Sequence, residues 1–130
     1  DWCSNNDFCG FLNMKRPPEL AILRGLLFLF DIDNVDSDER EEIIVSKNVN
    51  DEVELSELFD ILMRPEFASY SGSDREWFID TLSYYLGSGE SFDSIFDKIT
   101  TYFDDEVADR RRFMRVLLEC LLRYQAELVK

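Results

Sequence analysis

Histidine does not occur in this 130-residue chain. Its absence removes the imidazole general base, every Ser-His or Cys-His nucleophile pair and the histidine metal ligand. Glycine is scarce, at five residues, and none stands in a phosphate-cradling loop or a G-x-S-x-G elbow. Cysteine is scarce as well. Cys3, Cys9 and Cys120 form an odd set without a C-x-x-C pair, which fits neither a disulfide framework nor a zinc site. Cys3 and Cys9 could bridge in an oxidising compartment, whereas Cys120 lies in an apolar stretch and reads as a small buried hydrophobe. A reducing cytosol is the expectation.

Positive charge is in short supply. Fourteen Lys and Arg face 28 Asp and Glu, for a formal charge of −14 and a pI near 4.2. That balance argues against a nucleic-acid surface, which needs clustered bases for phosphates, and against anionic membranes. Long apolar runs are missing too: Leu20 to Phe30 is interrupted by Arg24 and Gly25 and falls short of the about 20 residues that span a bilayer. No secretory leader pattern and no initiator Met open the sequence, so a trimmed N-terminus is expected.

What is present is enough to fold. Apolar residues make up 45% of the chain and aromatics 14%, including eleven Phe, so charge alone does not make it disordered. The length suits one domain with one core.

The pattern is helical. Pro17-Pro18-Glu19 is expected to open a helix running to about Phe30, apolar nearly all round and central to the core. A strand over Leu26–Phe30 is the alternative for so short an apolar run. Asp36-Ser37-Asp38-Glu39 looks like a second start, before Ile43, Ile44 and Val45. After an Asn48–Asp51 turn, Leu55, Leu58, Phe59 and Leu62 form one face, expected to end at Arg64-Pro65. Ser73-x-x-Glu76 reads as a capping box for a helix carrying Trp77, Phe78, Thr81, Leu82, Tyr85 and Leu86, with Gly87 as its stop. Phe92, Ile95, Phe96, Ile99 and Phe103 share helical spacing. Asp104-Asp105-Glu106 is expected to begin the longest helix, through Met114, Leu117, Leu118, Leu121 and Leu128. A short helix near Asn5–Leu12 would be a seventh. The expected fold class is all-α, a single-domain bundle of six or seven short helices. Leu58-Phe59-Asp60 and Ile95-Phe96-Asp97 echo one another, and recurrent amphipathic helices with one exposed Asp each explain the echo better than a solenoid.

Chemistry-bearing patterns are few. Asp31, Asp33, Asp36, Asp38, Glu39, Glu41 and Glu42 crowd twelve positions with only Arg40 as a local base. An EF-hand register from Asp31 places Asp31, Asp33 and Glu42 correctly, but position 5 is Val35 and position 6, which demands Gly, is Asp36. No metal site is expected there, and no cofactor elsewhere. Paired carboxylates can run hydrolytic chemistry, yet nothing selects two of 28, so catalysis is not expected. Arg110, Arg111, Arg112 and Arg115 follow a run of acids and are expected to pair within their helix, as in Glu106→Arg110, rather than to touch phosphate. Trp77 and Tyr85 are expected to pack in the core and Tyr84 to be exposed.

A second acidic run, Asp51, Glu52, Glu54, Glu57 and Asp60, brings the total between Asp31 and Asp60 to twelve. Like charges this dense repel, and a surface kept at that cost suits steering toward a cationic partner. The expected partner-binding residues are Asp31, Asp33, Asp36, Asp38, Glu39, Glu42, Glu57 and Asp60. Asp31 has a competing role at a helix end, and Glu39 and Glu41 a competing role in helix electrostatics.

A small, acidic, all-helical chain without catalytic machinery resembles the immunity proteins of bacterial toxin systems, of the contact-dependent inhibition or bacteriocin type. The resemblance covers the whole chain by size, charge and helix content. Leu26-Leu27-Phe28-Leu29-Phe30-Asp31-Ile32-Asp33 followed by the acidic segment has the look of such proteins. It implies a cytoplasmic monomer that binds and neutralises a cognate basic toxin domain, usually a nuclease, without touching nucleic acid or membrane itself. Two other classes fit the composition: a phage-type nucleic-acid mimic that disarms a host nuclease, and an acidic secretion chaperone or adaptor.

Overall fold

Carboxylate and hydroxyl caps open three of the helices. The computed structural model describes residues 16–31, 38–101, 103 and 106–129. Within them α1 spans Ala21–Leu27 and runs into a 3₁₀ turn, Phe28–Phe30; α2 spans Asp38–Val45. Asp51 caps α3, Glu52–Leu58, by accepting from the amides of Val53 and Glu54. A π turn, Phe59–Met63, joins α3 to α4, Arg64–Ala68, so the three run on as one helix. Ser71 caps α5, Gly72–Gly87; α6 is a single turn, Asp93–Phe96; and Asp109 caps α7, Arg110–Leu128. Counted this way six helices occur among the described residues, and the all-α expectation holds. The one extended pairing there is an isolated antiparallel bridge between Asp31 and Thr101. The expected helix near Asn5–Leu12 lies outside the described residues.

Several boundaries differ from the sequence expectations, each for a local reason. Pro65 does not end the third helix. A proline ring collides with the carbonyl four residues back, here that of Ile61, and the wider π turn accommodates it, with Arg64 N–H bonding Phe59 C=O. The extra residue rotates the buried stripe, so that Met63 and Phe67 follow Phe59 inward and Leu62 is only half-buried. The next helix starts two residues before the expected capping box, because Ser71 rather than Ser73 accepts from the N–H three positions on, at 3.1 Å. Its stop is Gly89 (φ 86°), not Gly87: Glu90 N–H reaches back to Tyr85 C=O at 3.1 Å, closing a Schellman turn. Phe92, at φ 65°, stands at the start of α6, and that helix stops after one turn at Phe96, short of the expected Ile99 and Phe103. The last helix begins at Arg110 rather than Asp104, since Asp109 bonds the Arg112 amide at 3.0 Å.

One core serves all the elements. α7 packs along α5 on one side and α3 and α4 on the other. Its buried stripe is Phe113, Met114, Val116, Leu117, Cys120, Leu121 and Tyr124. Leu128, expected inside, is exposed. α1 contributes Leu23, Leu26 and Leu27, and the 3₁₀ turn Leu29 and Phe30, whereas Phe28 faces outward, so this segment is central without being buried all round. Phe113 is the hub of the aromatic cluster. Phe59 and Phe96 meet it edge-on at 5.4 and 5.3 Å, and Phe103 lies 5.7 Å away.

Candidate functional site

The acidic segment divides into two parts with different fates. In the α2 part, Asp38, Glu39 and Glu42 are exposed, as is Glu41, while Ile44 anchors the helix to the core. None of these four carboxylates has an ion-pair partner among the described residues. Three acids in the first turn suit the positive end of the helix dipole. Asp33 and Asp36 lie outside the described residues.

The other part is already neutralised internally. Glu57 keeps 53% of its side chain exposed, but Lys47 holds it at 3.0 Å. Glu52 receives Arg115 at 3.1 Å. Glu54 accepts the Asn48 amide at 2.8 Å. Asp60 is only partly exposed and does not serve as a free surface acid. Its Oδ1 accepts from the Tyr124 hydroxyl at 2.5 Å and from Arg123 at 2.9 Å. The hydrogen bond that Arg123 donates to Asp60 also raises its affinity for its proton, and burial followed by the Asp60 bond pushes the Tyr124 phenol well above its ordinary range. Asp31 requires a firmer correction. It is 5% exposed, its N–H donates to Phe28 C=O at 3.0 Å, and it pairs with Thr101 across the bridge. The 3₁₀ turn carries it inward, off the exposed acidic surface.

Arg115 and Arg123 of α7 supply part of this neutralisation, at Glu52 and Asp60, and the arginines of this helix bond mostly to other elements rather than along it. Arg110 bonds Asp93 at 2.8 Å and Asp97 at 3.2 Å and lies over the Phe96 ring. Arg111 caps the end of α5 through the carbonyls of Leu86 and Glu90. Arg112 reaches the Asn50 carbonyl at 2.6 Å. Among the described residues, one i,i+4 pair lies within α7, Arg115 to Glu119 at 4.0 Å, with the base before the acid rather than after it. The two Phe-Asp echoes thereby acquire a common meaning: each Phe meets Phe113, and each Asp meets an arginine of α7. Sequence reasoning missed this because the partners are far apart along the chain.

The remaining candidates settle as structure. Trp77 is half-buried, with Arg16 stacked 4.0 Å above its ring and its Nε1 donating to Pro17 C=O at 3.0 Å. Arg16 also pairs with Asp74, and that hydrogen bond holds the Asp74 carboxyl below the usual range. Tyr84 is exposed, as expected, and meets Tyr85 edge-on at 5.0 Å. Cys120 is a buried free thiol whose pKa burial pushes up. No group of three or more His, Cys, Asp or Glu among the described residues could hold a metal ion. No helix there is long and apolar enough to cross a membrane. Compared with known proteins, the chain matches no family model, no curated protein and no solved structure.

Proposed function

We propose that this chain is an immunity-type inhibitor, a non-catalytic cytoplasmic monomer that binds and neutralises a cationic toxin domain, a nuclease by preference. The binding surface in this reading is the outer face of α2, with Asp38, Glu39 and Glu42 at its centre, Glu41 added to them and Glu57 at its edge. The observation that supports it is the contrast within the acidic segment. Internal bases engage Glu52 and Glu57 of α3, whereas four carboxylates on α2 project into solvent with no ion-pair partner among the described residues. Such a face occupies a groove built for phosphates as a competing polyanion, and it raises the encounter rate roughly 10- to 1,000-fold at low salt. Asp31 and Asp60 drop out of the surface for the reasons given above.

The test pairs this chain with a basic nuclease domain sought in the neighbouring gene. Reversing Asp38→Lys, Glu39→Lys and Glu42→Lys together should slow association at least tenfold at low ionic strength, with a smaller effect at high salt. The far-ultraviolet dichroism should stay helical, because these side chains leave the core untouched. An unchanged association rate at low salt would place the contact elsewhere, and absence of any inhibition of that domain would defeat the reading as a whole.

A further inference from the structure

Nearly every base in this acidic chain is engaged. Of its 14 Lys and Arg, twelve lie in described positions, all but Lys15 and Lys130. Ten of those twelve engage a neighbouring carboxylate, carbonyl, amide, ring or other group. Arg24 and Lys98 engage none among the described residues, in a molecule where acids outnumber bases two to one. They come from different elements, Arg24 from the last turn of α1 and Lys98 from just after α6, yet they line the same cleft. It measures about 240 Å³, and Leu20, Ala21, Ser94 and Ile95 complete its walls.

Among the described residues, the carboxylates nearest the pair along the chain are otherwise disposed. Asp97, next to Lys98, is held by Arg110, as is Asp93. Glu19 is exposed and bonds neither base. Two positive charges therefore converge beside a hydroxyl, Ser94, over an apolar floor of Leu20, Ala21 and Ile95. Arg offers a planar fork that matches an oxyanion, Lys a compact point charge, and a serine hydroxyl a third donor.

We propose that this cleft binds a small organic oxyanion, a phosphate monoester or a carboxylate, whose apolar part rests on Leu20, Ala21 and Ile95. The chain carries a net charge of −14, so selectivity for this spot follows from the local reversal of sign. The site is separate from the α2 face and does not depend on the inhibitor reading.

The experiment is a titration of the ¹⁵N-labelled full chain with inorganic phosphate, phenyl phosphate and benzoate, at constant ionic strength. Expected are saturable shifts confined to the amides of residues 20–24 and 94–98, with phenyl phosphate at least threefold tighter than inorganic phosphate. Saturation by phenyl phosphate alone assigns a phosphate monoester, by benzoate alone a carboxylate, and by both a general oxyanion. Arg24→Gln and Lys98→Gln should each weaken binding about tenfold. Lys98 is exposed, so its variant keeps the fold and carries the test even if Arg24→Gln does not. Shifts that fail to saturate, that spread over the surface, or that persist unchanged in Lys98→Gln would overturn the proposal.

Discussion

The Tyr124 hydroxyl donates to Asp60 Oδ1 at 2.5 Å across 64 residues of chain, and it does so from a side chain that is 1% exposed. The bond joins the π turn to α7 at the point where the core meets the ion pairs. A hydrogen bond to a charged group in such a setting contributes about 1.5–3 kcal/mol. Tyr124→Phe should lower stability by about that amount in denaturant melts. Asp60→Ala should cost more, because it leaves both the phenol and Arg123 without their acceptor. Equal effects of the two substitutions would show that Arg123 contributes nothing.

Alkali should unfold the protein through its tyrosines. Burial, then the hydrogen bonds to Asp60 and to Glu66, raise the Tyr124 and Tyr70 phenols well above their ordinary pKa of 10.0. Below that value both states are neutral and the contribution is complete. As pH rises beyond it, the unfolded chain ionises these groups and the folded one resists, so stability falls. Absorbance at 295 nm should show these two phenols ionising together with loss of helix. In Tyr124→Phe, melting temperature should fall less steeply above pH 10.

Phe92 offers an inverted glycine effect. Its left-handed φ of 65° costs about 1–2 kcal/mol for an L-residue, and complete burial of the ring holds it there. Phe92→Ala loses the burial and keeps the strain, whereas Phe92→Gly loses the burial and relieves it. Both variants should be less stable than the parent, with glycine about 1 kcal/mol better than alanine. In an ordinary helix the order is the reverse. Gly89→Ala, at φ 86° with open space around it, should cost about 1 kcal/mol from strain alone.

Thr81 is fully buried on α5 and its hydroxyl has no hydrogen-bond partner among the described residues. Burying such a group costs about 1–3 kcal/mol. The near-isosteric Thr81→Val should therefore raise stability by about 1 kcal/mol in a thermal melt. A loss would reveal a bonding partner for the hydroxyl in solution.

The arginines of α7 should not contribute equally. Arg115 is half-exposed and makes only ion pairs, which contribute less than about 1 kcal/mol on a surface. Arg112 bonds a main-chain carbonyl at Asn50, whose side chain in turn holds the Glu106 carbonyl and the Ala108 amide. Arg112→Ala should cost about 1–2 kcal/mol, and high salt should not erase the difference from Arg115→Ala.

Much of this architecture was legible from apolar spacing. Leu55, Leu58 and Phe59, or Met114, Leu117 and Leu121, repeat at intervals that only a helix brings to one side. Helix ends were less legible, since Ser71 and Ser73, or Asp104 and Asp109, are equivalent candidates until hydrogen bonds choose between them. Pro65 reads as a stop because a π turn leaves no mark in composition. Asp60 reads as a surface acid because position along its own helix says nothing of Arg123 and Tyr124, more than 60 residues away. Asp31 was misplaced by the 3₁₀ turn, which changes the angle per residue just where the apolar run ends.

The bond between Asp60 and Tyr124 also dictates an order of assembly. α3, the π turn and α4 leave the ribosome well before α7, the helix they pack against, and about 60 residues of chain must be closed into a loop before Phe59, Phe67 and Asp60 are covered. Until then a nascent chain carries those rings and an unneutralised acidic segment together. A net charge of −14 opposes the association of neighbouring unfinished chains during that interval.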